Sequence, residues 1–299
     1  MDSLAITKAI EDQEWLGPVA DGLQKGVGAA YEAGGDAGRK VEDALHGVWL
    51  GHPLHAVLTD IPLGAWSVAA ALDVMEAAGN DKVAAGADAA VGIGLLGALG
   101  SAVTGLTDWY RLDGKATKRV GGAHALINIT ATALYGVSYG LRKTGHRGAG
   151  RVFGFLGMGV VSAGAFLGGM LVYDQKIGVD HSDREKLEED AGDFVDVLAW
   201  DDLPDGKPTR VEVNGHAVVL VRDSDNVHAL ADSCAHLGGP LSEGKLCDGG
   251  IVCPWHESRF ALTDGRVLDG PSTFKQPHYE TKVENRRILV KYGDTVVEG

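Results

Sequence analysis

The sequence predicts a multidomain protein in which an all-α four-helix transmembrane bundle precedes a small all-β domain. Four long apolar segments occupy the middle of the 299-residue chain, at about 56–78, 83–106, 122–141 and 152–173. Each is close to the ~20 residues that a helix needs to cross ~30 Å of hydrocarbon. After residue 193 the pattern changes to short β-type runs that are separated by turn residues.

The apolar segments are rich in glycine and alanine, which favours close packing of helices in a membrane. Small residues spaced four apart, such as Gly136 and Gly140, allow two helix backbones to approach each other. Short connections at 79–82 and 142–151 predict an up-down bundle. A water-soluble bundle is the alternative, because acidic residues interrupt the first two segments.

Four regions are expected along the chain. They are an amphipathic helical segment at 1–50, a membrane domain at 51–175, a charged linker at 176–192 and a β domain at 193–299. In the first region apolar residues recur every four positions: Val19, Leu23, Val27 and Tyr31. This stripe predicts a helix lying on the body of the protein, and an amphipathic helix in the membrane interface is the alternative.

The charge balance limits the partners and suggests an orientation. The formal net charge of −14 offers no basic stripe that could follow phosphates, so we expect no nucleic-acid partner. Lysine and arginine are in modest excess on the side of the bundle that holds both termini, which predicts that this side is cytoplasmic. The expected location is the cell membrane, with several spans and the β domain in the cytoplasm.

A pair of short motifs in the β domain carries metal-binding chemistry. Cys234-Ala-His236 and Cys253-Pro-Trp-His256 each supply one thiolate and one imidazole from a tight loop. Such a set suits a tetrahedral zinc ion, or a [2Fe–2S] cluster with two thiolates on one iron and two imidazoles on the other. The spacing alone does not separate these two possibilities. The third cysteine, Cys247, is expected to be a free thiol.

The surroundings of the two motifs resemble the Rieske ferredoxin-like family over about residues 193–292. The similarity is carried by three unbroken stretches, 234–241, 253–260 and 270–279. The resemblance implies a [2Fe–2S] cluster, with the third stretch as the loop that covers it. The implied ligands are Cys234, His236, Cys253 and His256.

The same resemblance suggests a modest reduction potential. High-potential members of the family carry a disulfide between the two cluster loops and a tyrosine near one ligand cysteine. At the matching positions this chain has Gly239, Trp255 and Phe260. Fewer hydrogen bonds to sulfur stabilise the reduced cluster less, which predicts the lower half of the ~−150 to +300 mV range. Such a potential suits ferredoxin-like transfer better than quinol oxidation.

The entry to the first apolar segment, His52-Pro-Leu-His55, resembles an uncharacterised family of four-helix membrane domains over about residues 45–175. That resemblance supplies topology and little chemistry. In an up-down bundle His52, His55 and His124 share one membrane face. Three interpretations remain open: axial ligands of a b-type haem, a quinone or metal pocket, or polar groups that fix helix ends.

These features predict a membrane-anchored iron–sulfur carrier of single electrons, working between a membrane or soluble donor and a redox protein partner. The chain would be a component of an oxidoreductase system and not a complete enzyme. One alternative is a ferredoxin component that supplies an oxygenase, with the helical domain only as an anchor. Another is an iron–sulfur redox sensor or interaction module.

Overall fold

A computed structural model describes residues 3–293 of the chain. The chain divides into two compact units. The helical unit combines Met1–Val41 with Pro53–Ile177, and the second unit combines Glu42–His52 with Gly178–Gly299. The short segment Glu42–His52 therefore groups with the β domain, although it precedes the first apolar helix in the sequence.

Seven helices precede the β domain. They are α1 (Ser3–Glu11), α2 (Leu16–Ala33), α3 (Gly35–His46), α4 (Leu54–Ala77), α5 (Ala84–Trp109), α6 (Lys115–Lys143) and α7 (Arg147–Tyr173). The last four are long and apolar enough to cross a membrane, as judged by length and composition. The predicted four-helix architecture is confirmed. Helix α6 begins two turns before the predicted apolar segment, because its polar first turns continue the helix.

The four long helices form a ring. Helix α4 packs against α5 and α6 against α7, while contacts of α5 with α6 and of α4 with α7 complete the bundle. Helices α4 and α6 are therefore diagonal partners. In the centre, the rings of Trp66 and Tyr135 stack with centroids 3.9 Å apart.

Glycines in the bundle make room for side chains more than for backbones. A Cβ at Gly94 would lie 2.2 Å from the Trp66 ring, and one at Gly157 would lie 2.9 Å from the Tyr135 ring. Gly136 and Gly140, by contrast, have no atom of the described chain within 4 Å of the position a Cβ would take. The expectation that this pair brings two helices of the bundle together is wrong, because both face away from the bundle.

The N-terminal helices α1 and α2 pack on α6, as expected for helices lying on the body of the protein. The buried residues of α2 are Leu16, Ala20 and Gln24, whereas the predicted apolar stripe is only half-buried. Gln24 Nε2 donates hydrogen bonds to the carbonyls of Trp109 and Leu112, at 3.1 and 2.9 Å. The polar side chain of Gln24 therefore belongs to the packed face of α2. The buried residues lie one position away from the predicted apolar stripe.

At the opposite end of the bundle, acidic and basic side chains pair. Arg142 on α6 holds both oxygens of Asp73 on α4, with Nη1–Oδ1 at 2.7 Å, and its side chain has no exposed area. Arg147 on α7 binds Glu76 through Nε at 2.6 Å and Asp88 through Nη1 at 2.8 Å. These ion pairs fasten α4, α5, α6 and α7 to one another.

The β domain contains two antiparallel sheets. Six strands are ordered β1-β10-β9-β4-β3-β2, and four are ordered β5-β6-β7-β8. Their bounds are β1 Val195–Ala199, β2 Thr209–Val213, β3 His216–Asp223, β4 Asn226–Ala231, β5 Lys245–Cys247, β6 Gly250–Val252, β7 Arg259–Ala261, β8 Val267–Asp269, β9 His278–Glu284 and β10 Arg287–Tyr292. The predicted charged linker contains one short helix, α8 (Arg184–Glu189).

Alternation along β3 gives the domain two hydrophobic cores. Val218 and Leu220 face one core, while Val219 and Val221 face the other. The second core also contains Cys234 and Cys253. The motif cysteines are therefore fixed by the same apolar packing that joins the two sheets.

Candidate metal centre

The two motifs lie on tight loops that meet in the β domain. The first motif loop, residues 234–239, follows β4, and the second, residues 253–258, connects β6 to β7. The buried thiols of Cys234 and Cys253 are in hydrogen-bonding contact. The rings of His236 and His256 lie edge to face, with centroids 4.9 Å apart. The structure therefore brings all four predicted site residues together, as a pair of thiols and a pair of imidazoles.

Each motif loop is closed by its own backbone. Gly238 N donates to Cys234 O at 2.7 Å, and Glu257 N donates to Cys253 O at 3.1 Å. Gly238 and Glu257 both have positive φ, at 77° and 66°, which lets each chain turn back within a few residues. The two loops are thus similar turns that present a cysteine at the start and a histidine inside the turn.

Backbone N–H groups also surround the two sulfurs. Those of His236 and Leu237 point at the Cys234 thiol, and those of Trp255 and His256 point at the Cys253 thiol. Hydrogen bonds to the charged form of a thiol favour the thiolate, which is the form that binds metal.

Contacts within the site shift the pKa values of its side chains in different directions. The hydrogen bond between the two thiols, with burial second, raises the pKa of Cys234, and the same hydrogen bond lowers the pKa of Cys253 to about 7. Burial, followed by the neighbouring His256, lowers the pKa of His236 to about 3. At neutral pH the His236 imidazole is therefore uncharged and keeps a lone pair for a metal.

Two further observations test whether the residues fit a two-iron cluster. The His236 Nδ1 atom is buried and has no hydrogen-bond partner among the residues that the structure describes. A buried polar atom without a partner is costly, and a bound iron would satisfy it. Gly239 leaves open the space beside the sulfur, since a Cβ there would lie 2.9 Å from Cys253 Sγ.

The pairwise arrangement argues against a single zinc ion. Within residues 3–293, no three side chains of His, Cys, Asp or Glu converge on one ion position. A structural zinc ion requires four ligands around one point, whereas a cluster with two irons takes two protein ligands on each. The donor set fits the cluster.

The covering loop, residues 270–279, is fastened to both motif loops. Gln276 is fully buried, its Oε1 accepts from Ala235 N at 2.8 Å, and its Nε2 donates to Ala231 O and Ser233 O at 2.8 and 2.7 Å. Ser272 N donates to Ser258 Oγ at 2.9 Å. Sequence reasoning placed Gln276 in the third stretch but gave it no role.

Replacing Gln276 by leucine is expected to destabilise the β domain by about 3 kcal/mol, because three buried backbone groups lose their partner. Loss of cluster absorbance during urea titration measures the effect. The control is Gln13→Leu, since within residues 3–293 the Gln13 side chain bonds a single exposed carbonyl, Ala9 O. Equal midpoints for the Gln276 variant and the control would contradict the role given to Gln276.

Three neighbours of the site were missed by sequence reasoning. His181 lies in the predicted linker. Its backbone N–H donates to Ala235 O at 3.0 Å, and its backbone carbonyl accepts from Ser233 Oγ at 3.1 Å. Asp43 and His46 come from the segment Glu42–His52 and contact Gly270. No local pattern marks these residues, because their partners are more than fifty positions away in the chain.

Cys247 stands apart from the motifs. It lies on β5, is exposed, and its Sγ contacts Asp248 Oδ2 at 3.4 Å. It is a free thiol in this structure.

Two of the three predicted membrane histidines bond a backbone carbonyl on the next helix of the bundle. His55 on α4 donates from Nδ1 to Ser101 O on α5 at 2.9 Å. His124 on α6 donates from Nδ1 to Gly164 O on α7, also at 2.9 Å. His52 belongs to the other compact unit.

Family models match both halves of the chain. One described as "Rieske [2Fe-2S] domain" matches residues 193–280, and one described as "Predicted membrane protein (DUF2231)" matches residues 51–181. The fold and these two family matches define an iron–sulfur protein with a membrane domain.

Curated relatives extend this result. The ferredoxin component of the naphthalene 1,2-dioxygenase/salicylate 5-hydroxylase systems of Ralstonia sp is 33% identical over 98 residues, which are 33% of this chain and 94% of the relative. The ferredoxin component of the alkene monooxygenase system of Xanthobacter autotrophicus is 36% identical over 104 residues, 34% of this chain and 84% of the relative. The chain belongs to the Rieske [2Fe–2S] family, and membership implies a [2Fe–2S] cluster.

A third relative is much longer than the similar region. Apoptosis-inducing factor 3 of Homo sapiens is 34% identical over 90 residues, or 30% of this chain. The similarity spans only 15% of that relative.

Proposed function

We propose that this chain is a membrane-anchored carrier of single electrons between a donor and a redox protein partner. The observation that carries the proposal is the pairing of two buried thiols with two imidazoles, one of which has an otherwise unpartnered Nδ1. We propose Cys234 and Cys253 as ligands of one iron and His236 and His256 as ligands of the other. When bound, the cluster accepts and donates one electron at a time.

The protein's own residues set the conditions for that exchange. Backbone N–H groups stabilise the sulfurs, and Gln276 holds the first motif loop against the covering loop. The Trp255 side chain is 55% exposed and lies edge to face with His256. His256 itself is buried, but it lies directly beside this exposed indole, so we propose that the partner docks at Trp255.

The charge of the chain suggests the chemistry of the partner. With a net charge of −14, docking favours a partner that has a basic patch. The ferredoxin relatives are components of oxygenase systems, which supports an oxygenase or its reductase as the partner class. We propose domain limits of 51–175 for the membrane part and 193–299 for the cluster part, with the latter on the cytoplasmic side.

An EPR-monitored redox titration of the full chain in mild detergent tests the proposal. We expect a one-electron transition in the lower half of the ~−150 to +300 mV range. A potential near the upper limit would indicate quinol oxidation and contradict ferredoxin-like transfer. A cluster that no physiological class of donor reduces would favour a sensor over a carrier.

A second candidate function concerns the membrane unit, where we propose that His55 and His124 are the axial ligands of a b-type haem. In each case Nδ1 bonds a backbone carbonyl, which can only accept, so Nδ1 carries the proton. The ring orientation is thereby fixed, as in metal-bound histidines generally. The Nε2 lone pair of His124 accepts from Asn128 Nδ2 at 3.3 Å, a hydrogen bond that a bound iron would replace.

The helix arrangement and the number of donors favour haem over a free metal ion. His55 and His124 lie on the diagonal helices α4 and α6, and each ring contacts the neighbouring helix, α5 and α7 respectively. Glycine lies against each ring: a Cβ at Gly105 would be 2.7 Å from His55, and one at Gly168 would be 3.1 Å from His124. Within the described residues no third donor completes a metal site, whereas haem iron needs only two axial ligands from protein.

Expression with a haem precursor, followed by reduced-minus-oxidised spectra of the full chain, tests this second proposal. We expect a sharp Soret band that is lost in His55→Ala and in His124→Ala. The control His146→Ala, an exposed histidine in the loop between α6 and α7, should keep the band. Broad iron–sulfur absorption without a Soret band would contradict haem and leave a quinone site or a simple anchor.

A further inference from the structure

The segment Glu42–His52 has an unusual place in the structure. It follows the first 41 residues of the helical unit and precedes the first apolar helix, yet it belongs to the compact unit of the β domain. It contains the end of α3 and one short turn, Val48–Leu50. A mere connection to the first apolar helix would not require contact with the β domain.

The contact is made with Gly270, the first residue of the covering loop. Asp43 Oδ1 accepts a hydrogen bond from Gly270 N at 2.8 Å. A Cβ on Gly270 would lie 3.1 Å from His46 Cδ2 and 3.3 Å from Val48 Cγ2. The absence of a side chain at Gly270 therefore lets the segment lie directly on the loop.

Two charged side chains on either side of Asp43 in this segment are deeply buried. His46 is 1% exposed and Glu42 is 5% exposed, with 3.6 Å between His46 Nε2 and Glu42 Oε1. Charged side chains are almost never buried this deeply on a helix that lies free on a surface. Desolvation by this burial is the main cause that raises the pKa of Asp43.

The contact continues towards the site through hydrogen bonds. Two residues after Gly270, Ser272 N donates to Ser258 Oγ in the second motif loop. Further along the same covering loop, Gln276 binds Ala235 in the first motif loop. Asp43 thus holds one end of the covering loop, and the other contacts of that loop reach both motif loops, which carry the proposed ligands.

We propose that Glu42–His52 is a built-in cover of the cluster site, in which Asp43 is a positioning residue that holds the covering loop closed through Gly270. The inference rests on the proposed function, because the loop protects the cluster proposed above. It adds a role for a segment outside the region that matches the Rieske family model, which begins at residue 193.

The test compares Asp43→Ala, Asp43→Asn and the control Asp36→Ala in the full chain. Asp36 lies on the same helix, is exposed and pairs only with Arg39 among the described residues. Loss of a hydrogen bond to a carboxylate should raise the opening frequency of the loop about tenfold or more in Asp43→Ala. The rate of cluster bleaching by a chelator should rise by the same factor in Asp43→Ala. The bleaching rate of Asp36→Ala should equal that of the wild-type protein.

Asp43→Asn separates position from charge, because the amide oxygen still accepts from Gly270 while the negative charge is gone. We expect slow bleaching in Asp43→Asn and slow hydrogen exchange at Gly270 N and Ser272 N. The midpoint potential should rise in Asp43→Ala, since water that reaches the cluster stabilises the reduced, more anionic form.

The outcomes distinguish this inference from the proposed function. If the wild-type protein shows no Rieske EPR signal, the proposed function is overturned. If the wild-type protein shows a normal EPR signal but Asp43→Ala and Asp36→Ala bleach at equal rates, only the covering role of Glu42–His52 is overturned. Identical bleaching of Asp43→Asn and Asp43→Ala, or failure of both to bind a cluster, would also overturn the positioning role.

Discussion

Replacing Cys253 by serine is expected to abolish the [2Fe–2S] cluster while the helical unit stays folded. The Cys253 thiol has a pKa of about 7, with two backbone N–H groups directed at its sulfur, so it is ready to bind iron as a thiolate. A serine hydroxyl in the same place stays protonated at neutral pH and cannot replace it. Iron and acid-labile sulfide, measured per protein, should fall to background.

Cys247→Ser is the matched control, because it removes a thiol from the same domain at an exposed position outside the motif loops. It should retain iron, sulfide and the EPR signal. If Cys253→Ser kept a normal cluster, or if Cys247→Ser lost it, the ligand assignment would be incorrect.

Replacing Arg142 by leucine is expected to destabilise the helical unit by about 3–5 kcal/mol. The change leaves the buried Asp73 carboxylate without the partner that holds both of its oxygens. An uncompensated buried charge costs more than the pair contributes, so the loss is large even though the pair itself adds little net stability. Unfolding of the purified protein in mild detergent, followed by circular dichroism, measures the change.

The double variant Arg142→Leu/Asp73→Leu should recover most of the loss, since it removes both buried charges. Arg39→Leu breaks an exposed pair with Asp36 and should change stability by less than about 1 kcal/mol. A double variant no more stable than Arg142→Leu alone would contradict this explanation.

The candidate metal site could be predicted from the sequence because its proposed ligands come from two short motifs. Within each motif the cysteine and histidine are only two or three positions apart, so one tight turn brings them together without help from distant residues. The four spans were predictable for a similar reason, since length and apolarity are local properties. The structure adds that the histidine pair and the thiol pair are separate, as a cluster with two irons requires.

The remaining features depend on contacts between distant parts of the chain. The buried face of α2 centres on Gln24, whose partners are 85 and 88 residues away. Asp43 and Gly270 are 227 residues apart, and although Gly270 begins the third stretch of the family resemblance, no local pattern marks Asp43 as its partner. Gly136 and Gly140 show the reverse error, because small residues at the correct spacing face away from the bundle. The spacing of residues along the sequence predicts that a residue is packed, but it does not identify the residue against which it packs.

The most direct test of the central claim is pulsed EPR of the dithionite-reduced full chain, analysed for nitrogen hyperfine coupling. The proposed ligation predicts a spin-½ iron–sulfur signal coupled to two imidazole nitrogens, with one coupling lost in His236→Cys. An iron–sulfur signal without nitrogen coupling would mean ligation by sulfur alone. Stoichiometric zinc without any such signal would contradict the assignment of an electron carrier.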